Sequence, residues 1–353
     1  MNTIYFYKDR PLFGMDIGTR NLRVLEMSAS DKQPSVNGWG SIDFDEKAIK
    51  DGVIVDPVII AKAADELFKA KLRGSITSRR VALAIPAAKT FSRAIKLPAL
   101  DASDIREAVL LEAEQYIPIP IDNLYVDYEM IRQTKDEMEL FAVAAPKPLV
   151  DSYLGLAKLL GLEPVVIETS IDSARRLFQT VDKNDTPTVL VDFGHATADI
   201  TILDKTIIAT GTVGGGGDNF TAQISSQLGV TPQEAHVIKT KYGLNFSKKQ
   251  HEISQALSPL LDKLFKEIRR MIRYYEERYG SARGVSQIVL LGGGTDIPGL
   301  ADRMTDTLRL PVRTIDPWRY FNVAGELEMS SDEQGALLTA AGLALINQRE
   351  LFA

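Results

Sequence analysis

The sequence predicts an α/β protein of two similar lobes with a smaller unit inserted into the first, and three observations lead to that prediction. Strands and helices alternate along 353 residues, a length that suits about two or three structural units. Each half opens with a buried strand, an acidic–glycine turn and a second strand, first in Phe13–Met27 and again in Thr188–Leu203. A stretch with a different order of elements, from Thr90 to Leu160, interrupts the first half.

The first half and its insert contain the following elements in order. Apolar residues recur at helical spacing in Val53–Arg73, and Val81–Ile85 is an apolar, β-branched run typical of a buried strand. The insert is predicted to contain a strand, a helix opened by Asp101 or Ser103, a hairpin and a second helix. The strands are Thr90–Leu97, Leu124–Arg132 and Glu139–Ala145, and the second helix is Pro148–Leu160.

The second half ends in a long helix, a short strand and a final helix. Pro259–Tyr279 has one apolar stripe and predicts an amphipathic helix. Ile288–Leu291 is a buried strand that runs directly into glycines 292–294. The last helix, about Asp332–Asn347, follows Ser330 and Ser331, which are favourable N-cap residues.

Composition excludes several classes of protein. With 45% hydrophobic and 25% charged residues the chain is predicted to be globular, and with no cysteine it has no disulfide, thiolate nucleophile or cysteine-ligated metal. A net charge of -6 argues against nucleic-acid binding. The longest apolar stretch, Ala336–Ile346, is too short to span a bilayer, and no signal peptide is evident. We therefore expect a cytoplasmic protein that reaches a membrane only through a partner.

Two acidic–glycine turns carry the main functional signal. Asp16-Ile17-Gly18-Thr19-Arg20 follows the first strand, and Asp192-Phe193-Gly194-His195-Ala196-Thr197 follows the strand that opens the second half. One such turn alone is typical of an ordinary hairpin. Two of them, one in each half, predict a cleft in which Asp16 and Asp192 face the same Mg²⁺–nucleotide while backbone N–H groups bind phosphate.

Two glycine runs add to this pattern. Gly214–Gly217 leads into a predicted helix, and a glycine run at a helix N-terminus is typical of an anion-binding site. A flexible loop would also explain the four glycines. Gly292–Gly294 ends a buried strand and has no side chains to keep an adenine ring away, although it also suits a tight strand-to-helix turn. Taken alone, the first run is better explained as a flexible loop, whereas for the second run the two interpretations are compatible.

The order of these motifs resembles the ATPase superfamily of actin, heat-shock chaperones and sugar kinases. Within it, the insert is similar to that of the PilM family of type IV pilus assembly proteins, which are related to the division protein FtsA. The segments that carry this resemblance are Glu112–Pro120, Leu124–Tyr128, Ala144–Lys147 and Glu267–Arg270.

The resemblance implies an actin-like fold that binds ATP and Mg²⁺ between its lobes. It places Asp16, Gly18, Thr19 and Arg20 in the first phosphate loop and Asp192, Gly194, His195, Ala196 and Thr197 in the second. It also places Gly215, Gly216 and Gly217 near the phosphates and ribose, Gly292, Gly293, Gly294 and Lys239 at the adenosine, and Glu168 beside the attacking water. His195, Ala196 and Thr169 depart from the chaperone pattern, so we expect slow or absent hydrolysis.

The resemblance also implies a partner and a division into domains. PilM-family proteins lie on the cytoplasmic face of the inner membrane, bind the N-terminal tail of PilN and link it to the motor ATPases. The groove for this tail maps to about Thr90–Leu160 and the first lobe, and we expect nucleotide to change the affinity for the tail. The expected bounds are 1–85, 163–186 and 332–353 for the first lobe, 86–162 for the insert and 187–331 for the second lobe, with an outer part near 225–283.

Two alternatives stay open at this stage. An FtsA-like polymerising division protein would carry a C-terminal amphipathic membrane helix, and the sequence ends at Ala353 without one. A metabolite kinase of the same superfamily would need a catalytic aspartate that faces a polar substrate pocket. The sequence leaves self-association undecided.

Overall fold

The computed structural model describes residues 11–28, 33–280, 283–295 and 297–347. Within these ranges the chain forms sheets of six, five and three strands and one two-stranded ribbon. We call the part built on the six-stranded sheet the first lobe, the part with the three-stranded sheet (86–146) the insert, and the part with the five-stranded sheet (187–330) the second lobe. Helix α3 (Lys147–Leu159), which the expected insert includes, packs in the core of the first lobe. Residues 1–10 and 348–353, which the expected first lobe includes, lie outside the described residues.

The first lobe has a mixed sheet with helices on both faces. In spatial order its strands are β11 (Glu163–Thr169), β7 (Arg80–Ile85), β1 (Phe13–Ile17), β2 (Asn21–Ser28), β3 (Ser35–Asp43) and β6 (Arg73–Gly74), and the ribbon is β4 (Ile49–Lys50) with β5 (Val53–Ile54). Its helices are α1 (Pro57–Glu66), α3 (Lys147–Leu159), α4 (Ser170–Val181), α9 (Ser331–Ala336) and α10 (Leu338–Ala344). One sheet face packs on α1 and α3, and the other on α10.

The insert is an antiparallel sheet with one helix against it. The spatial order is β8 (Phe91–Pro98), β10 (Glu137–Pro146) and β9 (Leu124–Gln133), with α2 (Ala102–Glu114) packed on one face. Alternation along β10 supplies the small core, in which Met138, Leu140 and Ala142 are buried. Strand β9 lies at the edge of this sheet, with six of its ten residues exposed.

The second lobe repeats the layout of the first. Its sheet order is β14 (Thr206–Gly214), β13 (Thr197–Asp204), β12 (Thr188–Phe193), β15 (Gln287–Leu291) and β16 (Val312–Thr314). Its helices are α5 (Gly217–Leu228), α6 (Pro232–Lys241), α7 (Gln250–Tyr279) and α8 (Leu300–Leu308). In each lobe the opening strand pairs antiparallel with the next strand and parallel with a later one. The predicted duplication is therefore present in the strand pairing.

Two helices differ from their predicted bounds. The long helix begins at Gln250, and Pro259 lies inside it, because the buried residues Ile253, Ala256 and Leu257 continue its apolar stripe toward the N-terminus. The last helix is divided at Leu337 into α9 and α10. Ser330 is the N-cap of α9 and forms a capping box with Glu333.

The topology brings the two acidic–glycine turns together. Strands β1, β7 and β11 are parallel, as are β12 and β15, so the carboxyl end of each strand lies at one edge of its sheet. The two edges face each other across a core that the lobes share. This core contains Leu25 and Leu190 from the two sheets and Leu177 from α4. Among the described residues no helix is both long and apolar enough to cross a membrane.

Candidate functional site

The first acidic–glycine turn joins β1 to β2 and lines the cleft between the lobes. Asp16 is near the end of β1, and its Oδ2 accepts a hydrogen bond of 2.8 Å from Nη1 of Arg23. An added Cβ at Gly18 would overlap the side chain of Asn21, so a larger residue there would displace that side chain. In the part of the chain that is described, the N–H groups of Thr19 and Arg20 donate to no backbone carbonyl, and both residues line the cleft. These N–H groups are free to bind an anion.

The second turn joins β12 to β13 and has the same form. The N–H of Gly194 donates to the carbonyl of Thr197 across the turn, at 2.9 Å. His195 and Ala196 are exposed, and their N–H groups have no backbone acceptor among the described residues. Partial desolvation of the half-exposed ring and the nearby Arg23 guanidinium lower the pKa of His195. The imidazole is therefore neutral at physiological pH, as its contact with a cation requires.

Asp192 has the most perturbed environment in the cleft. Burial, together with the charges of Asp199 and Asp16, raises its pKa from 3.8 to about 7. Asp199 is itself satisfied, since it accepts hydrogen bonds from Thr212 at 2.6 Å and from Ser170 at 3.1 Å. A cation near Asp192 would relieve this crowding of carboxylates.

The first glycine run packs directly on the second turn. The N–H groups of Gly215 and Gly216 both donate to the carbonyl of Ala196 at 3.0 Å, and that of Gly217 donates to the carbonyl of Gly194. An added Cβ at Gly216 would overlap the backbone of that turn. Helix α5 begins at Gly217, so its N-terminus points into the cleft.

Lys239 and the second glycine run form the deeper end of the cleft. Lys239, on α6, is buried, and its Nζ donates to the carbonyl of Gly217 at 2.9 Å, while burial lowers its pKa. Gly292 has φ +99°, and an added Cβ there would overlap Asp192. Gly294 lies against Phe193 and Gly293 against Gly335 of α9, so both lobes shape this end.

The cleft consists of two adjoining cavities of about 410 and 350 Å³. The larger is lined by the first turn and Ser170, and the smaller by Lys239, the second glycine run and α9. Between the cavities, Arg23 Nη2 lies 3.0 Å from His195 Nε2, and Arg20 forms an ion pair of 3.1 Å with Asp218 at the start of α5. Both contacts join the first lobe to the second, at the position where the turns would bind phosphate.

Most of the predicted site residues therefore line the cleft; Gly215 and Gly216 support the second turn from behind without lining it, and Glu168 lies elsewhere. The carboxylate of Glu168 is held by both terminal nitrogens of Arg176, at 2.8 and 2.7 Å, and Arg176 also donates to the carbonyl of Gly342. Burial raises the pKa of Glu168 while the Arg176 pair opposes that shift. Glu168 lines a different cavity and neither part of the cleft. The expectation that it positions an attacking water does not agree with this geometry.

Several polar residues that line the cleft are absent from the sequence-based predictions, among them Arg23, Ser170, Asp199 and Asp218. Arg23 is only 5% exposed, and an arginine between the apolar residues Leu22 and Val24 of a strand is a signal that could have been used. Ser170 enters from α4, and no local pattern distinguishes it from an ordinary N-terminal helix residue. Among the described residues no group of three carboxylates or histidines is close enough to hold a metal by itself.

A second large cavity, of about 900 Å³, lies between the insert and the first lobe. Its floor is apolar, with Val143, Val150 and Ile167, and Tyr125 of the edge strand β9 stands at its side. Acidic side chains (Asp122, Asp127, Glu129 and Asp172) and the basic Arg106 and Lys147 surround it. This groove has the dimensions and mixed character of a site for an extended peptide segment.

Comparison with known proteins gives a consistent picture. A family model described as Type IV pilus assembly protein PilM matches residues 14–348. The cell division protein FtsA of Bacillus subtilis (strain 168) is 22% identical over 351 residues, which cover 86% of this chain and 78% of FtsA.

Solved structures with the same fold extend the comparison. The structure titled PilM-PilN type IV pilus biogenesis complex superposes with a TM-score of 0.80 at 24% identity, covering 95% of this chain and 98% of that one. The ethanolamine utilization protein EutJ from Carboxydothermus hydrogenoformans gives 0.55 at 16% identity over 94% and 88%. MreB5 of Spiroplasma citri bound to ADP gives 0.51 at 14% identity over 96% and 98%. The expected actin-like ATPase fold is confirmed.

Proposed function

Because the chain belongs to the PilM family of type IV pilus assembly proteins, we propose that it is an ATP-binding, actin-like scaffold of the pilus assembly platform that holds the N-terminal tail of PilN. The family match over residues 14–348 carries the proposal, since it extends over both lobes and the insert. The likeness to a PilM-PilN complex supports the same partner. An FtsA-like or kinase function is not favoured, because the matching family model is that of PilM.

The donor groups of the cleft suit ATP with Mg²⁺. Mg²⁺ prefers oxygen ligands and keeps several waters, so Asp16 and Asp192 would hold it through water while phosphate oxygens complete its shell. The free N–H groups of the two turns and the cations Arg20 and Arg23 would bind the phosphates. When bound, Mg²⁺ neutralises phosphate charge and would relieve the crowding around Asp192.

The adenosine would occupy the smaller cavity. Gly292, Gly293 and Gly294 present backbone without side chains, and Lys239 supplies a buried cation at the far wall. With Glu168 held by Arg176, the cleft lacks the water-positioning carboxylate that the superfamily resemblance implies. We propose firm nucleotide binding with slow or absent hydrolysis.

The PilN tail would occupy the groove between the insert and the first lobe. An extended segment can place apolar side chains on the floor formed by Val143 and Ile167 while its backbone lies beside the edge strand β9. The acidic rim residues Asp127 and Glu129 would favour a tail with basic side chains. In this arrangement the protein would reach the membrane through PilN.

Calorimetry with two ligands tests the proposal. ADP with Mg²⁺ should bind the native protein, and so should a synthetic peptide of the N-terminal tail of PilN from the same organism, at a site separate from the cleft. Tyr125→Ala should weaken the peptide at least about tenfold, as a buried aromatic contact does, whereas Tyr320→Ala should not. Tyr320 is a matched control because both tyrosines are 45% exposed and Tyr320 lies outside the groove. Absence of peptide binding to the native protein would contradict the pilus function.

A further inference from the structure

The insert is fastened to the second lobe by a buried carboxylate. Glu139, on β10 of the insert, is 2% exposed. Its Oε1 accepts a hydrogen bond from Nε of Arg278 and another, of 2.8 Å, from the hydroxyl of Tyr279. Both donors are at the C-terminal end of α7 in the second lobe. We call these three residues the insert clamp.

Further contacts extend this attachment along the insert sheet. The hydroxyls of Ser92, on β8, and Thr210, on β14, are hydrogen-bonded. Ile131, on β9, packs against the core of the second lobe. Each strand of the insert sheet thus contributes a contact to the second lobe, while the chain enters and leaves the insert through the first lobe.

The same region borders the nucleotide cleft. Thr212, two residues beyond Thr210 on β14, donates to Asp199, which also accepts a hydrogen bond from Ser170 of the first lobe. The segment Pro86–Lys89 lines the larger cavity of the cleft and leads directly into β8. The residues of the cleft therefore contact the elements that position the insert, and a change in the cleft can reach the insert through them.

We propose that the insert clamp makes the insert move with the second lobe, so that nucleotide in the cleft and peptide in the groove change each other's affinity. The cleft lies between the first and second lobes, and the groove between the first lobe and the insert. If the insert is fixed to the second lobe, any relative rotation of the lobes changes both openings together. This inference rests on the proposed function, because it concerns the regulation of those two sites.

The chemistry of the clamp favours a positioning role over simple stabilisation. Among the described residues, Nη2 of Arg278 is buried without a hydrogen-bond partner, and Oε2 of Glu139 has only an ion pair of 3.7 Å with Arg132 of the insert. Buried ion pairs commonly stabilise less than apolar residues of the same size, and in some proteins they instead fix the arrangement of the parts that they join. A charged clamp between two bodies therefore specifies their relative orientation.

The test compares linkage between the two ligands in native protein and clamp variants. Affinity for the PilN-tail peptide is measured with and without saturating ADP–Mg²⁺, and affinity for ADP–Mg²⁺ with and without peptide. By linkage both ratios must be equal, and we expect the native ratio to differ from one by at least about fivefold. Arg278→Gln and Glu139→Gln should bring the ratio within about twofold of one, while each ligand alone still binds.

A matched control lies on the same helix. Arg270 forms an ion pair with Glu267 of the same helix, and among the described residues no hydrogen bond or ion pair joins it to the insert, so Arg270→Gln should keep the native ratio. If Arg278→Gln fails to fold, Tyr279→Phe removes one hydrogen bond of the clamp and takes its place. A native ratio near one, or an unchanged ratio in the clamp variants, overturns the inference. Failure of the native protein to bind either ligand would instead contradict the proposed function.

A cross-link supplies the complementary test. The chain has no cysteine, so Ser92→Cys with Thr210→Cys creates one disulfide between the insert and the second lobe. In the Arg278→Gln background, the oxidised protein should regain the native ratio and lose it again on reduction. If the oxidised protein keeps a ratio near one, attachment of the insert to the second lobe does not couple the sites.

Discussion

Replacing Asp192 with asparagine should stabilise the nucleotide-free protein while removing its response to Mg²⁺–nucleotide. Burial and the charges of Asp199 and Asp16 raise the pKa of Asp192 from 3.8 to about 7, so the native state disfavours the ionised carboxylate. Asparagine has nearly the same shape and carries no charge. The variant should therefore lose the cost of the ionised group and, with it, the attraction for the cation.

The size of the effect follows from the two pKa values. Between about pH 5 and about pH 7 the native carboxyl stays protonated while the unfolded one, with the ordinary pKa of 3.8, is ionised. The unfolded state then binds fewer protons, so the free energy of unfolding falls as pH rises, by about 1.36 kcal/mol per pH unit. Two units give about 2.7 kcal/mol, and because Asp192 partly faces the open cleft we expect roughly half of this.

Urea unfolding monitored by the fluorescence of the two tryptophans, Trp39 and Trp318, measures this difference. Native protein should lose roughly 1 to 2 kcal/mol between about pH 5 and about pH 7 relative to Asp192→Asn. Adding ADP–Mg²⁺ at about pH 7 should raise the free energy of unfolding of the native protein and leave that of Asp192→Asn unchanged. Asp65→Asn, at an exposed ion pair, serves as the control. Equal pH dependence of native protein and Asp192→Asn would refute the reasoning about the crowded carboxylates.

Three further predictions concern the residues predicted for the cleft and their neighbours. Lys239→Met should weaken ADP binding at least about tenfold by calorimetry, because it removes the buried cation. The control Lys241→Met, at an exposed position of the same helix, should keep the native affinity. Equal affinities of Lys239→Met and native protein for ADP would contradict the placement of adenosine. Glu168→Gln should leave nucleotide affinity unchanged. It should lower the free energy of unfolding by about 2 to 4 kcal/mol, because Arg176 loses this charged partner. Loss of nucleotide binding in a folded variant would show that Glu168 belongs to the nucleotide site. Gly335→Ala should weaken ADP several-fold, because the added Cβ overlaps Gly293, and a native affinity would show that α9 can shift freely.

The sequence was most informative where function depends on the backbone. Asp16, Gly18, Asp192 and Gly194 could be predicted because the same turn follows the opening strand of each half, with the glycine two residues after the acidic residue. The actin-like fold followed from the order of these turns. Helix bounds were less certain, because packing decides them: Pro259 is a good first residue of a helix, yet the apolar stripe carries α7 back to Gln250.

The sequence was least informative where partners are distant along the chain. Glu168 has the right residue type after the right strand, but only the fold shows that Arg176 occupies both of its oxygens. Arg23 is seven residues from Asp16, yet its second partner, His195, belongs to the other lobe. Glu139 and Arg278 have no common motif at all. Pairwise contacts between lobes are set by tertiary structure, and no local pattern specifies them.

The contact between strand β1 and helix α10 has a consequence for biosynthesis. An added Cβ at Gly14 would overlap the backbone of Ala340, so this strand is shaped for a helix that the ribosome adds about three hundred residues later. The core of the second lobe, by contrast, is drawn almost entirely from the continuous stretch between Val189 and Met304. The second lobe can therefore mature during translation while the first still waits for its closing helix. A chain stalled before Leu338 would expose the unfilled face of the first sheet to chaperones.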